Sequence, residues 1–409
     1  MESEVLVYVD LYGVTHLVGR LWVHVRGSRQ SATFEYDQSW LDNDERFALE
    51  PAIQLSPGPH HTGGQTSLFG AISDSAPDRW GRALMRRAER RSAELQNRTP
   101  RTLMEIDYLL MVDDEVRPGA LRFSTAEAGP FLASHSSTAV PLLVDLSRLL
   151  LAADRVIDAS ENDEDLRLLL APGSSLGGAR PKASVRDRDG MLAMAKFPHA
   201  NDDIDIVRWE AVALTIAEKA GIQVPNWRLE SVSDKPVLLV HRFDRSNSMR
   251  IPFLSALSML GARDNEERSY LEFVDALRQH GAAPEEDMRA LWRRIVFYIL
   301  ISNTDDHLRN HGFLYYGPDG WRLAPAYDLN PVPVDIKPRI LSTTIDLDDG
   351  TASIDLALEV AEYFELSSEE ALDIVKEVQG AVAQWRTIAA RYGLGGDEIE
   401  RMASAFEHA

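Results

Sequence analysis

From Val5 to about Phe34 the runs VLVYVDL, HLVGRLWVHVRG and SATFEYD alternate apolar and polar positions between glycines, the period of half-buried strands in a small antiparallel sheet. The chain is expected to begin as β structure. A turn-rich loop, SPGPHHTGGQTSLFG, follows with His60 and His61 as exposed turn residues, and a basic helix is predicted from about Pro77, capped by Ser75 or Asp74. The small, proline-containing stretch from Thr125 to Pro141 marks a domain boundary. Beyond it, Leu142, Leu143, Leu146, Leu149 and Leu150 have helical spacing, and GSSLGGARPKASVRDRDGMLAMAKFP predicts a loop, a strand, a tight turn at Asp189–Gly190 and a second strand. A helix ending at Gly221 (DIDIVRWEAVALTIAEKAGI) leads to a buried strand, KPVLLVHRFDR. Helical periodicity then dominates in FLSALSMLG, SYLEFVDALRQHG, IDLALEVAEYF and SSEEALDIVKEVQGAVAQW. It also marks PEEDMRALWRRIVFYILISN, where Pro284 and three acids open the first turn as the helix dipole favours. The expected class is α+β: a β-rich then helical subdomain over 1–125, a small β-rich lobe over 126–245, and a helical lobe over 246–409.

Composition narrows what such a chain does. With 43 Lys and Arg against 64 Asp and Glu, the formal charge is −21, which argues against non-specific binding to nucleic acid or anionic lipid. Of 409 residues, 44% are hydrophobic, enough for real cores, yet no apolar run reaches bilayer length and MESEVLVYVDLYG lacks the pattern of an export signal. No membrane association is expected. The absence of cysteine excludes disulfides, thiolate metal sites and cysteine nucleophiles, and fits a cytoplasmic protein.

Chemistry concentrates in SNTDDHLRNHGFLYYGPDGWRLAPAYDLNP, where Asp305 precedes Asn310 by five residues and Asp328 follows a hairpin-like pair of aromatic runs. A base Asp, an Asn after four intervening residues and a metal-binding Asp are the working parts of kinase phosphoryl transfer. Upstream, GSSLGGARPK (Gly173 to Lys182) is a glycine-rich turn between extended segments, where the backbone N–H groups of Ser175, Leu176, Gly177 and Gly178 can converge on phosphate oxygens. It does not match the P-loop pattern, because Ala179 and Arg180 stand where Lys and Ser or Thr belong. Lys196 ends an apolar strand some fifteen residues later, placed to meet nucleotide phosphates, and Glu210 on the next helix is placed to pair with it. Glycine loop, strand lysine, helix glutamate, apolar strand, helical lobe, Asp-x4-Asn and Asp is the kinase order throughout.

Two other classes compete. Asp305, His307 and His311 put two imidazoles four apart beside a carboxylate, the spacing of a metal-dependent hydrolase, although Leu308 occupies the position of the general-base glutamate in H-E-x-x-H. A kinase fold that has lost turnover and kept only a binding surface is the second.

Taken together, SSLGGARPKA, AKFP, VHRFDR, NTDDHLRNHGFL and PAYDLNP, with SAPDRWGR upstream, resemble the HipA family of bacterial serine/threonine kinases, toxins of type II toxin–antitoxin modules. The resemblance covers nearly the whole chain. It implies an N-terminal subdomain fused to a two-lobed fold related to protein and lipid kinases, ATP and Mg²⁺ as cofactors, and a helix-turn-helix antitoxin that bridges to operator DNA. It also implies a protein substrate, in better-known members an aminoacyl-tRNA synthetase, whose phosphorylation arrests growth. By resemblance Asp305 is the catalytic base, Asn310 and Asp328 the Mg²⁺ ligands, Lys196 the phosphate lysine, and the backbone of His241 and Phe243 the adenine-binding hinge. Ser175 aligns with the autophosphorylated serine, Ser174 standing one position away, and His307 is expected to brace the catalytic loop. Asp306 replaces a glycine usual after the base, and is expected to perturb a neighbouring pKa or assist metal binding. Arg180 and Pro181 also depart from the family's loop; Lys182 is either a phosphate contact or a solvated strand end.

Overall fold

The computed structural model describes residues 2–27, 29–63, 66–127, 129–133, 140–170, 178–247 and 249–408. The boundary segment from Thr125 to Pro141 therefore lies partly outside the described residues, and Gly173, Ser174, Ser175, Leu176 and Gly177 lie wholly outside them. Two compact units divide the chain, Met1–Ala200 with Glu230–Leu254 and Asn201–Leu229 with Ser255–Ala409.

The first unit opens with β1 (Glu2–Leu11), β2 (Val14–Arg26), β3 (Arg29–Tyr36), β4 (Pro59–His61) and β5 (Leu121–Ser124), in the sheet order β4-β3-β2-β1-β5. Tyr12 and Gly13 alone join β1 to β2, and both adopt left-handed φ values, 50° and 83°, as a two-residue turn matched to strand twist requires. A side chain at Gly19 would place its Cβ 2.2 Å from the Glu35 carbonyl oxygen of β3, so only glycine lets these strands approach. His60 and His61 lie in β4, paired to β3, rather than in a turn; Thr33 Oγ1 meets His61 Nδ1 at 3.0 Å. The basic helix spans Arg79–Leu95. Its cap is Asp78, which accepts the Gly81 N–H at 2.8 Å, whereas Asp74 closes the preceding turn Gly70–Ser73.

A second sheet contains β6 (Lys182–Arg186), β7 (Leu192–Lys196), β8 (Trp227–Val232) and β9 (Lys235–His241), in the order β6-β7-β9-β8. Helices Leu146–Ile157 and Asp163–Leu170 lay Leu149, Leu150, Val156 and Leu169 on Val185, Ala195 and Leu239 of the sheet, and Trp80 of the basic helix joins this core. The Trp80 indole N–H also donates to the Lys182 carbonyl at 2.9 Å. Past β9 come the two-stranded ribbon β10 (Arg245–Ser246) and β11 (Met249–Arg250), then a short β12 (Phe253–Ser255).

The second unit is mainly helical. Helices Tyr270–His280 and Ser368–Val382 both start on capping boxes, Ser269 with Glu272 and Ser367 with Glu370, and Pro284–Leu300 starts on its proline with three acids behind it. FLSALSMLG is not the helix its periodicity predicts. Its first residues form β12 and only Ala256–Met259 turn once, because Ser255 caps that turn through the Ser258 N–H and Gly261 leaves it with φ 59°. The aromatic runs form the hairpin of β13 (Gly312–Tyr315) and β14 (Trp321–Leu323), as expected.

Candidate functional site

In the second unit the helix Pro284–Leu300 is followed by a segment, 303–306, in which Asn303, Thr304 and Asp306 are buried and Asp305 alone is exposed. Thr304 and Asp306 turn inward and Asp305 outward, its side chain 61% exposed. One turn later Asn310 donates from Nδ2 to the Asp305 carbonyl at 2.8 Å, which fixes the loop that carries the carboxylate. The amide oxygen, Oδ1, is then buried with no hydrogen-bond partner. A buried acceptor costs free energy unless something meets it, so this oxygen fits a cation. Asp328 is flanked by two ties to the same loop: Tyr327 donates its hydroxyl to the Arg309 carbonyl at 2.8 Å, and the Asn330 N–H donates to Asn303 Oδ1 at 2.9 Å. Its φ of 58° is left-handed, a conformation that non-glycine residues adopt at some cost and that aspartate tolerates better than most. Amide and carboxylate oxygens are the donors that Mg²⁺ takes, so Asn310 and Asp328 are the residues of this loop region that could hold it.

Asp306 does not join that set. Only 1% exposed, its carboxyl accepts the Tyr270 hydroxyl at 2.5 Å and the Ser342 N–H at 2.6 Å, while its carbonyl accepts Thr343 Oγ1 at 2.7 Å. Burial pushes its pKa up to about 6, and the hydrogen bonds it accepts offset only part of that shift. The perturbed group is thus Asp306 itself, and the carboxyl serves as an anchor. His311 is equally buried, its ring edge-on to Tyr270 and Phe273, with Nε2 3.1 Å from the Asp306 carbonyl. Burial lowers its pKa to about 3, which keeps it neutral and a structural donor. His311 thus braces the loop, and the His307 carbonyl within it accepts the Asn310 N–H at 2.7 Å. With Asp306 and His311 facing the core, the Asp305/His307/His311 metal arrangement is not assembled; among the described residues the clustered set of possible metal ligands is Asp187, Asp189 and His241.

In the first unit, β6 and β7 pair Lys182 directly with Lys196, placing two ammonium groups on one sheet face. Lys182 is not solvated: its amine is buried, 2.9 Å from Asp78 Oδ2, and a Cβ at Gly178 would come within 2.9 Å of it. The described end of the glycine loop therefore runs over a lysine. Lys196 is half-buried at the strand end. On β9, the His241 ring meets Asp187 Oδ2 at 2.7 Å, so its side chain is engaged, and Phe243 packs 6.1 Å from Phe253. Asp244, next in line, is fully buried between Arg242 and Arg245 and accepts the Gly119 N–H at 2.7 Å. Burial pushes its carboxyl up, but the two guanidinium groups outweigh burial and hold it below the ordinary range. Glu210 is buried in the helix Ile206–Lys219 of the second unit.

The fold is thus α+β, with Lys182 and Lys196 paired across two strands and Gly178 close to the first of them in one unit, and an exposed Asp beside an orphaned Asn oxygen in the other. A model of the HipA-like C-terminal domain matches residues 174–385, just over half of the chain, and one of the HipA N-terminal domain matches residues 9–106. The chain belongs to the HipA family. Among its relatives is a protein of Sinorhizobium fredii named "Putative kinase Y4mE", 23% identical over 330 residues, which span 72% of this chain and 71% of the relative. A Haemophilus influenzae protein, also named as a kinase, is 27% identical over 195 residues, 42% of this chain and 56% of its own. The HipA chain solved in a complex of HipA, HipB and operator DNA from Shewanella oneidensis MR-1 shares the fold. Its TM-score is 0.67 with 16% identity, over 98% of this chain and 94% of that one.

Proposed function

We propose that the protein is an ATP- and Mg²⁺-dependent serine/threonine kinase that acts as the toxin of a toxin–antitoxin pair. The observation that carries this is the catalytic-loop geometry: an exposed Asp305 carboxylate on a loop fixed by Asn310, whose remaining oxygen is left for a cation. Asp305 accepts the proton of the attacking hydroxyl, and Asn310 and Asp328 hold Mg²⁺. When bound, the metal neutralises charge on the phosphates. Lys196, with Lys182 paired to it, and the backbone of Ser175, Leu176, Gly177 and Gly178 receive the nucleotide phosphates. The main chain of His241 and Phe243 receives the adenine edge. Phosphorylation of Ser175 would add about −1.5 to −2 charges in that loop and switch the enzyme off.

Family membership supports an antitoxin of helix-turn-helix type, through which the complex reaches operator DNA, and the net charge of −21 favours that indirect route over direct contact with nucleic acid. Among the described residues no helix is long and apolar enough to cross a membrane, and we place the protein in the cytoplasm with a component of translation, such as an aminoacyl-tRNA synthetase, as substrate. The test is a phosphoproteome of cells expressing wild type or Asp305→Gln. Growth arrest with new phosphoserine or phosphothreonine on a translation protein, in the wild type alone, is expected; identical phosphoproteomes would rule the toxin-kinase role out.

A further inference from the structure

The segment after Asp328 folds back along the loop that carries Asp305. The Pro333 carbonyl accepts the N–H groups of Ile336 and Lys337 at 3.0 and 3.2 Å, closing a tight turn. Arg339 pins the far side, donating to Ser302 Oγ at 3.1 Å and to the Ile299 carbonyl at 3.0 Å, and Ser342 Oγ donates to the Thr304 carbonyl at 2.8 Å. Between these anchors Lys337 donates from Nζ to the same Thr304 carbonyl at 2.8 Å and stands 3.9 Å from Asp305 Oδ1. Its side chain is 40% exposed and that of Asp305 61%, so the pair contributes little to stability. Only one of the three ammonium donors is used by Thr304.

We propose that Lys337 is a further catalytic residue, the cation that binds the phosphoryl group as it is transferred past Asp305. The inference rests on the kinase reading above. In that reaction the substrate hydroxyl oxygen bonds to the γ-phosphorus, the bond from that phosphorus to the β–γ bridging oxygen breaks, and ADP leaves with the electron pair. The hydroxyl proton passes to the Asp305 carboxylate. Proton transfer requires the attacking oxygen within about 3 Å of Asp305, and in-line attack requires it about 3–3.5 Å from phosphorus. The equatorial oxygens then come within reach of an ammonium 3.9 Å from the same carboxylate. A cation already fixed by a backbone carbonyl stabilises charge there without having to reorganise. Sequence gave no sign of this residue, because the turn that delivers it lies 32 positions beyond Asp305.

The test uses the full chain with Lys337→Met and Lys337→Arg, and Asp305→Gln as reference. Initial rates of self-phosphorylation from labelled Mg·ATP are measured, together with calorimetric affinities for Mg·ADP and for Mg·ADP with aluminium fluoride. Lys337→Met is expected to lower the maximal rate by about 100- to 1000-fold, with KM for ATP, ADP affinity and Tm unchanged, and to weaken the aluminium fluoride complex selectively. Lys337→Arg, which keeps the charge, recovers part of the loss. A maximal rate within about threefold of wild type, or a loss matched by ADP affinity or Tm, overturns the role of Lys337 and leaves the kinase standing. A wild type with no transfer that Asp305→Gln removes overturns the kinase and Lys337 with it.

Discussion

Asp306→Asn removes a buried carboxyl without changing its shape, and its effect is readable in the pH dependence of stability. The wild-type group has a folded pKa of about 6 against an ordinary 3.8. A folded pKa raised in this way means that the native state takes up a proton over the window between the two values. The stability it contributes is fully present below the unfolded pKa and is lost as pH rises through the folded one. At 1.36 kcal/mol per unit, the shift predicts that wild type loses about 2 kcal/mol relative to Asp306→Asn between about pH 4.5 and pH 7.5. Because every other titrating group is common to the two proteins, the difference isolates this one. Urea denaturation at half-unit pH steps measures it, with constant m-values as the control. The substitution also disturbs the Ser342 N–H, which would face an amide if the side chain turned the other way, so a constant offset between the curves is allowed. Parallel curves across the window would refute burial as the state of this carboxyl; convergence of the opposite sign would refute its raised pKa.

Asp244→Ala leaves Arg242 and Arg245 buried without their shared carboxylate, and should cost about 3–5 kcal/mol in denaturant unfolding. Asn310→Ala removes both the tie to the Asp305 carbonyl and the orphaned oxygen; a Mg²⁺ titration of phosphoryl transfer should shift to higher concentration with a lower plateau. Ser175→Ala should abolish inactivation by prior incubation with ATP and lower phosphate incorporation, and unchanged stoichiometry by mass spectrometry would exclude Ser175 as the modified residue.

What could be read from sequence was local. Alternation in Val5–Phe34 depends only on neighbours, as do the Pro284 start and the helix end at Gly221. Periodicity failed in FLSALSMLG, where a serine cap and a glycine exit outweigh hydrophobic spacing, and cap choice failed at Asp78, three residues beyond Ser75. In the catalytic loop, residue identity showed that Asp306 was unusual but not which way it faced. Its partner Tyr270 lies 36 positions upstream, and only folding shows that the carboxyl is buried. Lys182 likewise meets Asp78 across more than a hundred residues, so no local pattern distinguishes it from a solvated strand end.

The most direct measurement is transfer of label from γ-labelled ATP in the presence of Mg²⁺, comparing purified wild type with Asp305→Gln. Asp305 as the base predicts self-phosphorylation by wild type and none above background in the variant, with equal nucleotide binding and equal Tm. Label incorporated equally by both proteins, or by neither while ATP binds, would contradict it.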